Sequence, residues 1–354
     1  MKFYPLEISD LEKTTDECTI VTMKVNEDLQ DTFKYTQGQY LTFKALVEGE
    51  ELRRSYSLCS SPLDKEWKIG VKKIQDGRFS SFVNDHLKVG DTLEVAPPAG
   101  RFFVEINATK PRHIVAFAAG SGITPMLSII KTHLTQEPDT SIQLFYLNRT
   151  VSSIILREEL EALKNLHMER FELFHILDEE QRNVHLLNGR LDEEKLKQLF
   201  NNGLCDKEEI DEVFICGPQP LIFAIKDFLT SEGINEKKIH FELFGTPVTA
   251  KSKKADNKFK GKMADVTIHE GGKTLTFKVP QGEGNILDSA LNNSADLPFA
   301  CKGGVCCTCK AKLVEGSVDM LVNYALEGEE VKDGFILTCQ SIPTSDKVVV
   351  NFDV

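Results

Sequence analysis

Long apolar runs, an excess of positive charge and an apolar leader are all missing from this chain. No uninterrupted apolar stretch reaches the ~18 residues that a membrane-spanning helix needs, and the N-terminus MKFYPLEISDLEKTTDE has no apolar core of the kind found in secretory signals. The 42 Lys and Arg residues are outnumbered by 54 Asp and Glu residues, and the resulting net charge of −12 repels phosphate backbones and anionic lipid surfaces. We therefore expect a cytoplasmic protein whose main partners are neither nucleic acid nor membrane.

The nine cysteines are poorly placed for disulfides. A cytoplasmic compartment keeps thiols reduced, and four of the nine crowd into the segment CKGGVCCTC. Four residues separate Cys301 from Cys306, two separate Cys306 from Cys309, and 29 separate Cys309 from Cys339. This spacing is the plant-type ferredoxin pattern for a [2Fe–2S] cluster, whereas a structural zinc site uses two short chelating pairs. We predict that these four cysteines ligate a cluster, with zinc as the less favoured alternative.

Three other residues of this loop bear on the same prediction. Gly303 and Gly304 permit a positive φ, which would let the loop direct backbone amides toward sulfur. Cys307 lies between two predicted ligands and lacks the spacing to replace either of them. We interpret it as a residue that supports the ligands or, alternatively, as a small filler.

The pattern of apolar residues changes three times along the chain. Residues 1–106 alternate apolar and polar positions in runs such as CTIVTMKV and WKIGVKKI, the latter with the only tryptophan, which predicts an antiparallel β-barrel. Residues 107–245 alternate continuous apolar strands such as HIVAFAA with helical patterns, which predicts an α/β domain with a parallel sheet. Residues 246–262 carry six lysines without periodicity and are predicted to be a flexible linker. Residues 263–354 combine a hairpin, a short helix and a closing strand, which predicts a small α+β domain.

The segment RRSYSLCS in the barrel region is a candidate binding strand. On a strand, Arg54, Tyr56 and Leu58 lie on one face, and Ser55 and Ser57 lie on the other. A planar ligand at the end of such a strand meets both an aromatic face and a hydroxyl group. The alternation allows a flavin here but does not by itself identify one.

A glycine-rich turn follows the apolar strand HIVAFAA. We predict that Gly120 and Gly122 form the turn, that Thr124 caps the next helix, and that Pro125 is its first residue. Such a turn presents backbone amides to a phosphate, although G-x-G-x-x-P differs from the dinucleotide pattern G-x-G-x-x-G. The next strand ends at NRT, where Arg149 stands in place of the acid that holds the ribose of NAD. We therefore expect NADPH rather than NADH.

Five motifs follow one another in a fixed order: RSYS at 54–57, GRFS at 77–80, GSGITP at 120–125, CGP at 216–218 and FELFG at 241–245. In this order they resemble the ferredoxin–NADP⁺ reductase superfamily, and the cysteine loop after them resembles a C-terminal plant-type ferredoxin domain of the β-grasp class. The resemblance implies FAD in the barrel, NADPH in the α/β domain and a [2Fe–2S] cluster in the C-terminal domain.

The resemblance also implies roles for residues on the flavin side. Arg54 would contact the FAD diphosphate, Tyr56 would pack on the isoalloxazine, and Ser57 would reach its N5 atom. The helix that GRFSSFV opens would hold the FAD pyrophosphate at its N-terminus, with Ser80 as the side-chain partner. The cofactor contacts expected from this helix are Gly77, Phe79 and Ser80.

On the nucleotide side, the resemblance implies that the CGP motif lies at the nicotinamide and that Phe244 lies beside the flavin. A buried cysteine before a turn and a core phenylalanine are the alternative interpretations of Cys216 and Phe244. The predicted catalytic residues are Tyr56, Ser57, Cys216 and Phe244. The predicted nucleotide contacts are Gly120, Gly122, Thr124, Arg149, Cys216, Gly217 and Pro218.

A chain with these parts would pass electrons from NADPH to FAD, from FAD to the cluster, and from the cluster to a partner. The resemblance implies that this electron acceptor is a multicomponent di-iron oxygenase complex. One alternative is the reductase of another ring-hydroxylating or di-iron oxygenase, and a second is a redox-sensing flavin and iron–sulfur protein. The linker suggests that the ferredoxin domain swings between the flavin and the oxygenase.

Overall fold

The computed structural model describes residues 1–244, 259 and 261–353. The chain divides into two compact units, Lys2–Phe244 and Gly245–Val354 together with Met1. Nearly all of the predicted linker lies outside the described residues, so the four predicted domain ranges and the swinging motion stay predictions. In the described part of the chain, no helix is both long enough and apolar enough to span a membrane.

The larger unit begins with an antiparallel six-stranded sheet that curls into a barrel, as predicted. Its strands are β1 (Tyr4–Thr15), β2 (Cys18–Lys24), β3 (Tyr40–Val47), β4 (Glu50–Ser57), β5 (Trp67–Lys72) and β6 (Thr92–Ala99). In space they follow the order β4-β3-β6-β1-β2-β5, and a bridge from Leu58 to Ile69 joins the two edge strands. The alternation of the sequence points every second residue into the barrel, which gives the apolar interior.

The barrel interior is closed by a short helix, α1 (Arg78–Asp85), which follows β5. Its Phe79 and Val83, one turn apart, are buried in the same core as Phe43. Trp67 also belongs to this core, and its indole Nε1 donates to the carbonyl oxygen of Phe33 at 2.8 Å. The single polar atom of the indole is thereby satisfied inside an apolar site.

The second half of the larger unit is a parallel five-stranded sheet with the order β11-β10-β7-β8-β9. Its strands are β7 (His113–Ala119), β8 (Ser141–Asn148), β9 (Phe171–Leu177), β10 (Glu212–Gly217) and β11 (Ile239–Leu243), and its helices are α2 (Ile123–Gln136), α3 (Arg157–Leu166), α4 (Glu193–Asn201) and α5 (Gln219–Ser231). Strands β7, β8 and β10 are buried along almost their whole length. Their continuous apolar sequences are what burial of both sheet faces requires.

The predicted start of α2 is wrong by two residues. The helix begins at Ile123 with Gly122 as its cap, because Gly120–Gly122 already turns as a 3₁₀ helix. Thr124 is inside the helix and its hydroxyl donates to the carbonyl oxygen of Ser121 at 3.0 Å, so it is not the capping residue. Pro125 is accordingly the third helical residue and not the first.

A buried ion pair ties the end of the barrel to α2. The Arg112 guanidinium bonds to the Glu137 carboxylate, and both side chains are almost inaccessible to solvent. Arg112 also donates to the carbonyl oxygen of Glu105 at 3.0 Å, and the amide of Asn107 donates to Glu137 at 2.7 Å. Because an unpaired buried charge is strongly destabilising, this pair fixes the connection between the barrel and the parallel sheet.

The smaller unit contains a mixed five-stranded sheet with the order β13-β12-β18-β14-β16, and a two-stranded sheet of β15 and β17. The strands are β12 (Met263–Glu270), β13 (Lys273–Pro280), β14 (Lys310–Glu315), β15 (Val318–Met320), β16 (Phe335–Leu337), β17 (Ser341–Pro343) and β18 (Lys347–Asn351), and the helices are α6 (Ile286–Asn292) and α7 (Gly328–Lys332). The predicted hairpin is β12 and β13, and the predicted closing strand β18 pairs parallel to β12. The unit has its own apolar core, to which Leu287 of α6 contributes.

Candidate functional site

The last residues of β4 carry the predicted flavin contacts. The Tyr56 ring lies between the rings of Phe43 and Phe79, at centroid distances of 6.1 and 5.8 Å. Burial raises the pKa of the Tyr56 phenol well above its usual value of 10, so the hydroxyl stays neutral. Arg54 is exposed, two residues earlier on the strand. This strand therefore offers a neutral aromatic ring and a solvent-facing cation, which match the ring system and the diphosphate of a flavin nucleotide.

The start of α1 can offer a cofactor its backbone amides. The side chains of Phe79 and Ser80, which were predicted to contact FAD, make their contacts inside the protein. The Ser80 hydroxyl donates to the carbonyl oxygen of Gly77 at 3.0 Å and accepts from the amide of Ile74 at 3.3 Å. Phe79 is buried in the barrel core. A Cβ at Gly77 would stand 2.4 Å from Ser80 Oγ, so the tight turn requires glycine. The first amides of the helix are left to bind an anion.

An open groove of about 670 Å³ lies beside this helix start. It is lined by residues that include Leu46, Glu48, Gly77, Arg78 and Phe82. The Arg78 guanidinium is held by Glu48 at 3.0 Å and by the Glu50 carboxylate. The volume is in the range of small-molecule sites. The lining combines apolar side chains and the helix start with the carboxylates of Glu48 and Asp76.

Strand β4 meets the parallel sheet at Glu242, which sequence reasoning missed. The buried Ser57 hydroxyl donates to Glu242 Oε2 at 3.1 Å. Glu242 lies on β11 in register with Cys216 on β10, and paired residues of neighbouring parallel strands point to the same face. The only signal in the sequence is one acid within the apolar strand IHFEL, and its meaning depends on the pairing of two strands that are far apart in the chain.

The protonation of this cluster is set by burial. Burial raises the pKa of the Glu242 carboxyl to about 7, although the hydrogen bond from Ser57 opposes the shift. Burial, and then the charge of Glu242, raises the pKa of the Cys216 thiol well above its usual 9. Near neutral pH the site thus holds a neutral thiol beside a carboxyl group that gains or loses a proton.

The glycine turn and the CGP motif meet at the carboxyl ends of β7 and β10. Gly120 has a φ of +52°, and its carbonyl oxygen accepts a hydrogen bond from the Tyr146 hydroxyl at 3.0 Å. A Cβ at Gly122 would stand 2.2 Å from the carbonyl oxygen of Cys216, and one at Gly217 would stand 3.0 Å from the Cβ of Ala119. Side chains are therefore excluded where a dinucleotide must approach the backbone, as at the switch point of an open α/β sheet.

The remaining predicted residues surround this point. Pro218 is extended and directly precedes α5, and Phe244 follows β11 and packs against the core that contains Cys216. Arg149 directly follows β8, and its guanidinium lies 2.7 Å from the Glu17 carboxylate. The structure thus brings Ser57, Cys216, Gly217 and the glycine turn together, whereas the roles assigned to single residues stay predictions.

The four predicted cluster ligands form two pairs in the smaller unit. The Cys301 thiol interacts most strongly with that of Cys306, and the Cys309 thiol interacts most strongly with that of Cys339. Among the described residues, no three His, Cys, Asp or Glu side chains converge on one point where a metal ion could be held. A single zinc ion requires four donors around one point, whereas a two-iron cluster is bound by two cysteines at each iron. The pairs fit the [2Fe–2S] cluster.

A backbone amide faces the first cysteine pair, as predicted, but the residues with a positive φ are not all the predicted ones. The Gly303 amide donates to Cys301 Sγ at 3.3 Å. The interaction with Cys306 and the backbone amides of residues 303, 305 and 306 lower the pKa of the Cys301 thiol, although burial opposes the shift. The prediction of a positive φ holds for Gly304, at +76°, and is wrong for Gly303. The residue before Gly303, Lys302, adopts the positive φ instead, at +52°. The ammonium group of Lys302 lies 2.7 Å from the Asp288 carboxylate.

Cys307 also has a positive φ, +53°, and its thiol donates to the carbonyl oxygen of Ala325 at 3.0 Å. This contact ties the ligand loop to Ala325, which lies between β15 and α7. Cys307 therefore supports the loop, in agreement with the first of its two interpretations.

Three family models match the chain in succession. The oxidoreductase FAD-binding domain matches residues 5–104, the oxidoreductase NAD-binding domain matches 117–227, and the 2Fe-2S iron-sulfur cluster binding domain matches 268–344. The chain is therefore an oxidoreductase with FAD, NAD(P) and [2Fe–2S] domains in that order.

Curated relatives align over nearly their full lengths. One component of the 1,2-phenylacetyl-CoA epoxidase of Escherichia coli (strain K12) is 41% identical over 351 residues, which are 99% of this chain and 98% of that protein. The ferredoxin reductase component of 3-ketosteroid-9-alpha-monooxygenase from Rhodococcus rhodochrous is 32% identical over 349 residues, which are 97% of this chain and 94% of that protein.

Solved structures agree in fold. Phthalate dioxygenase reductase, described as a modular structure for electron transfer from pyridine nucleotides to [2Fe–2S], covers 99% of this chain and 98% of its own, with a TM-score of 0.61 at 24% identity. An intact type IV self-sufficient cytochrome P450 monooxygenase covers 98% of this chain with 41% of its own, with a TM-score of 0.73 at 21% identity. From its full-length relatives and its three matched domains, the chain belongs to the ferredoxin–NADP⁺ reductase superfamily, in the group that carries a C-terminal plant-type [2Fe–2S] ferredoxin domain.

Proposed function

We propose that this chain takes electrons from NADPH and delivers them to the oxygenase of a phenylacetyl-CoA epoxidase. The observation that carries the proposal is the meeting of the flavin strand and the nucleotide turn around Ser57, Cys216 and Glu242, in a chain that also holds two cysteine pairs. When bound, FAD accepts a hydride from the nicotinamide and the cluster passes electrons on one at a time.

The residues of the site have two roles: some bind and orient FAD, and one exchanges a proton. The first amides of α1 and the Arg54 guanidinium neutralise the diphosphate of FAD, and Tyr56 covers its ring system. Ser57 donates its hydroxyl hydrogen to Glu242 Oε2, so the flavin-facing hydroxyl is linked to a carboxyl group that titrates near neutral pH. Glu242 is therefore the group that supplies or removes a proton as the electron count at the site changes.

NADPH is the proposed donor because of Arg149. It directly follows β8 at the carboxyl end of the sheet, where NAD-specific sites carry an acid for the ribose hydroxyl groups. Its guanidinium is about half exposed, so a 2′-phosphate can reach it from solvent. Phosphate monoesters form strong charge-assisted hydrogen bonds with guanidinium groups. We expect NADPH to be preferred over NADH.

The partner is proposed from the relative that is 41% identical over 98% of its length. A second candidate partner is a different oxygenase, because relatives at 32% identity include the reductase component of a 3-ketosteroid monooxygenase. The cytoplasmic location is likewise a proposal.

An anaerobic titration with NADPH tests the electron path. The purified holoprotein is followed by visible absorbance and by electron paramagnetic resonance. We expect the flavin band to bleach and the signal of a reduced [2Fe–2S] cluster to grow in proportion. A flavin that bleaches without any cluster signal would contradict the one-electron half of the proposal.

The partner is tested with the purified oxygenase components. The chain, NADPH and the epoxidase oxygenase should together convert phenylacetyl-CoA, and omission of the chain should abolish conversion. The isolated chain is expected not to bind phenylacetyl-CoA, and saturable binding would oppose the proposed division of labour. Faster reduction of a 3-ketosteroid or other oxygenase would favour the second candidate.

A further inference from the structure

A carboxylate from the barrel reaches the cations at the nucleotide end of the parallel sheet. Glu17 lies in the turn between β1 and β2. Its Oε2 atom is 2.7 Å from the Arg149 guanidinium and 3.6 Å from the Lys72 ammonium group. The backbone holds the turn in place, because the amide of Lys73 donates to the carbonyl oxygen of Glu17 at 2.6 Å.

The two cations mark the path of a dinucleotide along the sheet edge. Lys72 Nζ lies 3.8 Å from the position that a Cβ would take on Gly120, so it stands beside the glycine turn after β7. Arg149 directly follows β8, the neighbouring strand. The carboxyl ends of adjacent parallel strands form the ligand crevice of such sheets. Glu17 thus lies between a cation at the turn and a cation at the next strand end.

The ion pair of Glu17 with Arg149 keeps both groups charged at neutral pH. The hydrogen bond from Arg149 and the charges of Arg149 and Lys72 outweigh partial burial and lower the pKa of Glu17. The pKa of Arg149 is raised first by Glu17 and more weakly by the charges of Glu179 and Asp178. A carboxylate carries one negative charge, whereas a phosphate monoester carries nearly two and has more acceptor oxygens. A 2′-phosphate therefore competes for the same donors.

We propose that Glu17 is a specificity-determining residue, whose carboxylate holds the cations that the 2′-phosphate of NADPH must take over. NADPH binding replaces the Glu17–Arg149 ion pair with a phosphate–Arg149 pair. NADH has no 2′-phosphate, and it leaves the Glu17–Arg149 pair intact. Glu17 thereby reduces the advantage of NADPH over NADH without touching the nicotinamide end. This inference rests on the proposed use of NADPH.

Binding of adenosine phosphates to the holoprotein tests the inference without turnover. Adenosine 2′,5′-bisphosphate and 5′-AMP differ only in the 2′-phosphate, and their affinities are measured by calorimetry for the wild type, Glu17→Gln and Asp16→Asn. Asp16 is the exposed neighbour of Glu17 in the same turn, so Asp16→Asn removes an equal charge and is the matched control. We expect Glu17→Gln to bind the bisphosphate roughly three- to tenfold more tightly, with 5′-AMP and the control changed less than about twofold.

Steady-state kinetics provide a second readout. The KM for NADPH should fall in Glu17→Gln by a similar factor, while the KM for NADH stays constant. Weaker binding of the bisphosphate by Glu17→Gln would mean that Glu17 orients Arg149 for the phosphate, and it would overturn the inference, as would equal effects on both adenosine phosphates. A wild type that prefers NADH, together with a Glu17→Gln variant that still does so, would contradict the proposed donor. A wild type that discriminates well while Glu17→Gln is unchanged would contradict only the role of Glu17.

Discussion

Glu242 combines a position between two cofactor-binding parts with a pKa near neutrality. Its carboxyl group accepts from Ser57 of the barrel and lies in register with Cys216 of the parallel sheet. A protonation change at this one residue therefore acts on Ser57 of the barrel and on Cys216 of the parallel sheet, on the two sides of the proposed flavin site. Two consequences can be measured, one in stability and one in the rate of flavin reduction.

Replacing Glu242 with Gln should remove a pH dependence of stability. The native pKa is raised to about 7 from the ordinary 4.5, so the native state binds the extra proton between these values. The stabilisation is complete below pH 4.5 and is lost as the pH rises through 7. Relative to Glu242→Gln, the wild type should lose about 1–3 kcal/mol of unfolding free energy between pH 5 and pH 8.5. Denaturant unfolding at the two pH values measures this.

Ser57→Ala is the control for the same effect. The Ser57 hydrogen bond lowers the pKa of Glu242, so its loss should move the pH transition upward, whereas Glu242→Gln should abolish it. The rate of flavin reduction by NADPH in stopped flow should follow the same two patterns. A Glu242→Gln variant with the pH profile of the wild type would show that another group titrates.

At the scale of elements, the turn before α2 depends on two glycines for different reasons. A Cβ on Gly122 would lie only 2.2 Å from the carbonyl oxygen of Cys216, so no side chain fits there. Gly120 has room for a Cβ, and glycine is favoured there only by the positive φ. Gly122→Ala should destabilise the larger unit by about 2–4 kcal/mol and weaken NADPH binding. Gly120→Ala should lose only about 1–2 kcal/mol. Equal losses in urea unfolding would argue against the close approach.

In the cysteine loop, Cys309 is a predicted cluster ligand, whereas Cys307 supports the loop through a hydrogen bond. Cys309→Ser should lose the visible absorbance of the cluster and its electron paramagnetic resonance signal, because a ligand pair is broken. Cys307→Ser should keep both, because a serine hydroxyl can donate to the carbonyl oxygen of Ala325 as the thiol does. Retention of the cluster in Cys309→Ser would mean that the serine oxygen or Cys307 takes the place of the Cys309 thiolate.

The helices and strands could be predicted from local sequence patterns, whereas the candidate site could be predicted only in part. Alternation and continuous apolar runs predict the barrel and the parallel sheet because side-chain period and burial are local properties. The start of α2 is displaced because Gly120 adopts a φ that no local preference requires. Glu242 could not be found because its partners Ser57 and Cys216 are brought to it by strand order. Arg149 was found, but its ion pair with Glu17 links residues 132 positions apart.

At the scale of the molecule, the two compact units have separate apolar cores. A chain that ends after Phe244 should therefore retain FAD and reduce ferricyanide with NADPH at a rate near that of the full chain. It should show no cluster signal and transfer no electrons to the oxygenase. Flavin content, ferricyanide reduction and oxygenase turnover measure these properties. Loss of flavin from the truncated chain would mean that the larger unit needs the smaller one to fold.

The single tryptophan lies in only one of the three folded parts. Trp67 is in the barrel core, hydrogen-bonded to the carbonyl oxygen of Phe33, while the bound cluster would absorb visible light in the C-terminal unit. During heating, indole emission would report the melting of the barrel, and absorbance at wavelengths longer than the flavin bands would report the loss of the cluster. One unlabelled sample would thus reveal whether the two ends of the electron path lose their structure together or in sequence.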